Sequence, residues 1–335
     1  NDLIRYEFNK NGQIISAIDK ELQHDFIEKN SYGNSLVLYE DRPHGHDAWE
    51  IDIYYEDMML EEAKYKKWKP NGNGEVRNSI IFDLIIGNSL IKQKVILNHF
   101  SKELVFQTEV DWRERHKMLR VLFPTTVYSD EAFYGIQFGY VKRPTHRNTS
   151  WDLAKFEVPA HKYADLSDNT KGAAIFTDCK YGFKIHENIM EMNLLRSPTY
   201  PDPDADIGKQ KFTYSFYPHK HHFLNSDVIN KSNEMNRLPL IYDNIKLDQP
   251  LKPLIKILNK DISIEAIKKA EKENCYVIRL VEQFGKTCET SFELQDNYKL
   301  TETNLMEWEE FKTIKRDEVI TFKPFEIKTY KIKGG

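Results

Sequence analysis

The sequence predicts an all-β protein of two domains, and three observations carry that prediction. Aromatic residues make up 13% of the 335 positions, with 18 Tyr, 19 Phe and 5 Trp. Aromatic and β-branched side chains suit a pleated, half-buried surface. Apolar residues recur mostly with period two, the spacing of strands. These runs follow one another closely, with Gly, Asn and Pro between them, which argues a sandwich assembly and against βαβ units.

Taken in order, Tyr6 and Phe8 lead to Asn11-Gly12, and Ile14, Ile15 and Ala17 follow. Asn-Gly between such runs predicts a hairpin. Leu36, Leu38 and Glu40 alternate with Val37 and Tyr39. Phe82, Leu84 and Ile86 share a face before Gly87-Asn88 turns the chain into Leu90 to Leu97. Leu104, Phe106, Thr108, Val110 and Trp112 form another alternating run. Phe133 to Val141 predicts a single strand ended by Arg143-Pro144. Ala173 to Asp178, Ile189 to Leu195 and Lys211 to Tyr217 predict three more.

Helical signals are few. Asn225 to Leu238 predicts one helix, capped by Asn225 or Ser226. Ile262 to Lys272 has helical composition but strand-like alternation, and periodicity alone does not decide so short a run.

Pro239, Pro250 and Pro253 interrupt a polar stretch, which places a boundary between domains of residues 1–240 and 241–335. The smaller domain is expected to use Ile255–Leu258, Tyr276–Glu282, Cys288–Leu294, Val319–Phe322 and Glu326–Ile332 as strands. The chain opens in an alternating stretch without an initiator Met, the pattern of a piece of a longer protein.

Composition excludes several classes. The chain carries 48 basic and 52 acidic residues, a net charge of −4. A nucleic-acid binder shows a basic excess or stripe, and here only short clusters such as Lys64–Lys69 occur. No apolar run approaches the roughly 20 residues of a membrane helix. Cys179, Cys275 and Cys288 give neither a disulfide framework nor a CxxC pair, so a reducing compartment is expected.

Four segments have the residue types for chemistry. Asp41 to Asp52 holds Asp41, His44, His46, Asp47, Trp49 and Glu50. On a strand His44 and His46 share a face, but two His alone do not close a metal site. The competing reading is a polar loop with a packed Trp. His219 and His221 form a similar pair, and Lys220 between them favours a solvated turn. Arg143 to Asp152, with His146 and Trp151, can bond sugar hydroxyls and stack a ring, or be a surface loop pinned by Trp151. Pro201 to Asp206 has three aspartates but lacks the ligands of a calcium loop, so a rigid turn is favoured. Glycoside hydrolysis needs two carboxylates about 5 to 9.5 Å apart, and abundance of Asp and Glu decides nothing. GxSxG, P-loop and post-strand GxGxxG motifs are absent.

Several stretches form a recognisable set. They are Gly33-Asn-Ser-Leu-Val-Leu-Tyr-Glu-Asp-Arg-Pro43, Asp47-Ala-Trp-Glu-Ile-Asp52, Asp111-Trp-Arg-Glu-Arg-His-Lys-Met-Leu119 and Arg143-Pro-Thr-His-Arg-Asn-Thr-Ser-Trp-Asp152. His161-Lys-Tyr-Ala-Asp-Leu-Ser167, Leu194-Leu-Arg-Ser-Pro198, Glu302-Thr-Asn-Leu-Met-Glu307 and Phe322-Lys-Pro-Phe-Glu-Ile-Lys328 complete the set. Together and in the same order they resemble the C-terminal region of glycoside hydrolase family 38 α-mannosidases, most closely the cytosolic, vacuolar and bacterial branch.

The resemblance implies a large galactose-mutarotase-like supersandwich followed by a smaller β-sandwich. It implies a retaining enzyme that hydrolyses terminal α-D-mannose from oligosaccharides. In the family an N-terminal barrel-like domain carries the Asp nucleophile, the acid/base carboxylate and a zinc held by two His and two Asp. This chain matches only the β-region, so the fragment is expected to be inactive, without metal ligands or catalytic residues of its own. Its expected partners are a mannose-containing oligosaccharide and the N-terminal catalytic domain of the same polypeptide, in the cytoplasm. A homo-oligomer stays open. The resemblance carries Arg196 over best as a substrate-pocket residue. Tyr39, Asp41, Asp47 and Trp49 follow, then His146 and Trp151. The alternative is a stand-alone carbohydrate-binding or mutarotase-like sandwich.

Overall fold

The computed structural model describes residues 1–246 and 251–334. Two compact units form, Asn1–Gly135 with Val141–Arg237, and Ile136–Tyr140 with Leu238–Gly335. Pro250 lies outside the described residues.

The first unit is built on a nine-stranded and a six-stranded antiparallel sheet. The nine-stranded sheet runs Gly139–Pro144, Glu131–Ile136, Tyr163–Ser167, Lys171–Thr177, Gly208–Lys220, Leu104–Trp112, Ser89–Asn98, Arg77–Ile86, Lys64–Asn73. The six-stranded sheet runs Val158–Pro159, Gly182–His186, Ile189–Arg196, Lys117–Pro124, Ser35–Glu40, Met59–Glu62. Period-two sequences bury one face of each against the other. Phe82, Leu84, Phe106 and Tyr214 from one sheet share a core with Leu36, Leu119, Val121 and Phe123 from the other. Phe123 joins the layers, stacking on Phe216 with centroids 4.8 Å apart. A three-stranded sheet opens the chain, and its Asn11-Gly12 turn forms as the sequence predicts. Gly12 takes φ +76°, and an added Cβ there would sit 3.0 Å from the Phe82 ring.

Three expectations need correction, and one undecided run is resolved. The run Phe133 to Val141 is not one strand but a hairpin of Glu131–Ile136 and Gly139–Pro144. Its turn depends on Phe138 at φ +60°, with the phenylalanine rather than the following Gly139 in the left-handed position. The helix is shorter than Asn225 to Leu238. It spans Val228–Asn236 after a separate 3₁₀ turn at Phe223–Asn225, and Ser226 Oγ accepts from Val228 N although Asp227 is the N-cap. The ambiguous Ile262 to Lys272 is a strand over Ile262–Lys269, because it pairs along Tyr276–Glu282. Cys288–Leu294 divides into Cys288–Thr290 and Phe292–Leu294, which pair with different strands.

The second unit has a five-stranded sheet ordered Ile262–Lys269, Tyr276–Glu282, Ile327–Gly334, Tyr298–Thr303, Glu310–Ile314. Two short pairs, Ile255–Ile257 with Phe292–Leu294 and Cys288–Thr290 with Ile320–Phe322, contribute to its core. That core contains Ile278, Leu280, Phe292, Phe322, Tyr330 and Ile332.

Candidate functional site

The site starts from a β-bulge. The pairing of Lys117–Pro124 with Ile189–Arg196 slips between Leu119 and Arg120, so that Leu119 faces Leu195 and Arg120 faces Asn193. Leu194 and Leu195 are therefore both in the core. Simple alternation from Met190 and Met192 would send residue 196 inward, but the extra residue reverses the parity. A bulge re-aims the side chains beyond it, and here it turns Arg196 to the outer face. Asp41 reaches the same face by continuing the Val37, Tyr39 row beyond Ser35–Glu40.

Arg196 binds Asp41 in a bidentate fork, with Nε to Oδ2 at 2.6 Å and Nη2 to Oδ1 at 3.1 Å. Nη2 also donates to the carbonyls of Asp47 at 3.2 Å and Glu50 at 2.6 Å. The guanidinium thus closes the 41–52 loop on itself. Asp47 fastens the loop to the next segment by accepting from Thr199 N at 2.7 Å. That bond, with a second from the Thr199 hydroxyl, holds the Asp47 carboxyl below the usual range. His116, at φ +51°, bridges both sides through its backbone, donating to Ser197 O and accepting from Asp41 N.

Of the residues singled out from sequence, Arg196, Asp41, Asp47 and Trp49 come together. Asp41 is 4% exposed and saturated by Arg196. Tyr39 is buried edge-on to Tyr55, centroids 5.5 Å apart, and burial pushes its phenol up to about 12. Asp41 and Tyr39 support the loop from beneath rather than offering a free group. Trp49 is 66% exposed with Tyr200 beside it at 6.5 Å, so the reading of a packed Trp is corrected. These two rings form the loop's rim.

His146 and Trp151 lie on the separate 143–152 segment. Trp151 is 80% exposed and pins nothing. The segment is instead tied down by Arg147, whose Nη1 and Nη2 meet the Glu56 carboxylate at 2.7 and 2.5 Å. A capping box between Thr149 and Asp152 starts the short helix Ser150–Leu153. His146 Nδ1 stands 3.7 Å from Asp152.

Beneath both segments the outer face of the six-stranded sheet holds a buried charge network that sequence reading missed. Arg120, fully buried, pairs with Glu157 at 2.5 Å and Glu191 at 3.0 Å. Lys184 pairs with Glu191 at 2.7 Å and Glu56 at 3.2 Å. Burial raises the Glu157 carboxyl, with Arg120 opposing. Burial also works against charge on Glu56, but Arg147 and Lys184 outweigh it and hold that carboxyl low. The available signal was Arg120 itself, a cation in the middle of an otherwise apolar strand.

Among the described residues no three His, Cys, Asp or Glu gather as a metal site. His219 Nε2 is 2.7 Å from Asp165 and its Nδ1 faces the Lys220 carbonyl at 3.2 Å. Both nitrogens are thus occupied, and the ring of His46 packs on Trp49. Among the described residues, neither His pair gathers further ligands for a metal such as the zinc that the resemblance implies for the N-terminal domain.

Residues 1–204 match the profile of the glycosyl hydrolases family 38 C-terminal domain. Residues 261–330 match that of the family 38 C-terminal β-sandwich domain. Alpha-mannosidase G of Dictyostelium discoideum is 35% identical over 347 residues, covering 99% of this chain and 32% of that protein. Human Alpha-mannosidase 2C1 is 36% identical over 85% of this chain and 28% of its own length. The chain thus spans about a third of these relatives. A family 38 glycosyl hydrolase structure from Enterococcus faecalis superposes on 99% of this chain and 43% of its own, with TM-score 0.83 at 17% identity. That likeness agrees with the fold. The chain belongs to glycosyl hydrolase family 38, as the C-terminal β-sandwich region of its α-mannosidases.

Proposed function

We propose that this chain is the non-catalytic β-region of a retaining α-mannosidase and forms one wall of its substrate pocket. The observation that carries this is the 41–52 loop, locked by Arg196 and presenting Trp49 and Tyr200 at its rim. A locked loop with exposed rings suits a sugar's C–H face and a neighbouring domain alike. Exposed Tyr54, Met58, Met59 and Leu60 follow it in the chain. Exposed apolar side chains beside such a loop favour a contact surface.

In this reading the side chain of Arg196 is a positioning group, because its Nε and Nη2 are spent on Asp41 and two carbonyls. The nucleophile, the acid/base carboxylate and the zinc belong to an N-terminal catalytic domain of the same polypeptide, acting on terminal α-D-mannose of oligosaccharides. A cytoplasmic setting fits three free cysteines.

A nitrophenyl α-mannoside assay with added zinc tests the reading. This chain alone is expected to give no turnover, and turnover would overturn the assignment. In the longer polypeptide, Trp49→Ala is expected to raise KM while leaving the thermal midpoint in place. Unchanged kinetics would remove the loop from the pocket wall.

A further inference from the structure

The second unit has a cavity of about 310 Å³ between the end of the Ile262–Lys269 strand and the 304–309 loop. Its size is at the lower end for small-molecule sites, which run from about 300 Å³ upward. Trp308 lines it and is 62% exposed, with Leu305 and Met306 beside it.

The loop is built rather than loose. Asn304 Oδ1 accepts from Trp308 N at 3.0 Å, and Asn304 O accepts from Glu307 N at 3.0 Å. Glu307 takes φ +66° at the apex. Its carboxylate meets Lys268 at 2.8 Å, and Arg279 Nη2 donates to Leu305 O at 3.1 Å. On the opposite wall Lys331, 2% exposed, is held by Glu273 and Glu310 at 2.5 and 3.0 Å.

The lining chemistry selects the ligand. Four cations, Lys268, Lys272, Arg279 and Lys331, face three carboxylates, Glu271, Glu273 and Glu307. Nearly balanced charge gives a polyanion little to neutralise. A wholly apolar ligand would strip water from these ion pairs without replacing its hydrogen bonds. A neutral molecule with many hydroxyls and one apolar C–H face satisfies both the ring and the rim.

We propose that this cavity is a glycan subsite in which a neutral hexopyranose of an oligosaccharide stacks on Trp308. Lys272 Nζ lies 4.6 Å from the ring centroid in the free protein. A cation–π contact at an exposed site is weak, so the sugar displaces Lys272, which then donates to a hydroxyl. Glu271, 83% exposed at its side chain, accepts from another. The subsite shares no residue with the Arg196 loop and stands or falls apart from the pocket-wall reading.

Calorimetric titration of the 335-residue chain with α-mannotetraose and with maltotetraose tests it. Saturable binding of one or both is expected, with Kd of about 1 mM for a single stacked sugar. Trp308→Ala is expected to weaken that binding about tenfold, and Trp308→Phe to retain part of it, with far-UV dichroism unchanged in both. Failure of both sugars to saturate overturns the proposal, and so does a Trp308→Ala chain that binds like the parent. In the longer polypeptide Trp308 is expected to stay open to acrylamide quenching; a shielded ring would make this face a protein interface instead.

Discussion

The six-stranded sheet has two faces made by the same strands, and they do different work. Along Lys117–Pro124 the inner residues Leu119, Val121 and Phe123 are fully buried among apolar groups. The outer residues Met118 and Arg120 are equally buried. Yet Arg120 lies in a lattice of Glu157, Glu191, Lys184, Glu56 and Arg147. The inner face is held by contacts without direction, which tolerate exchange of similar volumes. The outer face is held by forks of fixed geometry, and each fork names a loop. Glu56 and Arg147 place the 53–57 and 143–152 segments, while Arg196 places the 41–52 loop. Burial alone thus builds the sandwich, and directed charge pairs position the segments that lie over its outer face.

The largest expected effect breaks the charged face at its centre. Arg120→Met keeps bulk but leaves Glu157 buried without its cation and Glu191 with Lys184 alone. Removing one partner of such a set costs about 3–5 kcal/mol. Phe123→Leu on the opposite face, a smaller change between apolar groups, is expected to cost less, roughly 1–2 kcal/mol. Urea midpoints of the two variants measure the contrast directly. Replacing Arg120, Glu157 and Glu191 together by apolar residues is expected to recover most of the loss, because no charge is then stranded. If Arg120→Met unfolds no more easily than Phe123→Leu, the two faces do not differ as argued.

Arg196→Ala comes next. It strands Asp41 and frees the carbonyls of Asp47 and Glu50, at a cost of about 2–3 kcal/mol, since the site is part-exposed. Hydrogen exchange is expected to rise across residues 41–52 and to stay low across residues 117–124. Arg196→Lys cannot reproduce a bidentate fork and is expected to loosen the loop as well. Equal protection in all three proteins would show that something else holds it.

These two residues also mark what the sequence discloses. Alternation made most strands legible, and the order of motifs such as Asp47 to Asp52 and Leu194 to Pro198 disclosed the family. Partners did not show. Asp41 and Arg196 are 155 positions apart, and only a bulge between two leucines puts them on one face. Met118-Leu-Arg-Val-Leu-Phe123 lacks alternation because both faces of its strand are buried, so it escaped as a strand. The Phe133 to Val141 run hid its turn because Phe138 adopts a left-handed backbone that glycine or asparagine normally announces.

A third test uses pH. His219 is buried between Asp165 and the Lys220 carbonyl, with the Tyr217 ring 5.8 Å away. Burial disfavours its charge, but Asp165 and the carbonyl overrule this and raise it above the ordinary 6.5. A group raised on folding stabilises fully below its unfolded value and loses that contribution as pH climbs through its native value. The stability difference between the parent and His219→Gln is therefore expected to be greatest below pH about 6.5 and to shrink above it. A difference that is flat with pH would mean the imidazole is neutral.

The smallest effect separates a loop's anchor from its cap. Thr149 and Asp152 close a capping box on a helix of four residues, in the open. Losing an N-cap costs about 0.5–1 kcal/mol at exposed sites. Arg147, two residues before Thr149, ties the same segment through a part-buried bidentate pair. If charge pairs to the outer face position the segment, Thr149→Ala is expected to raise exchange only over residues 150–153. Arg147→Ala is then expected to raise it over the whole of residues 143–153 and over 53–57, because Glu56 loses its fork. Equal and local responses to both would make the segment self-supporting, and the outer face would then position only the 41–52 loop.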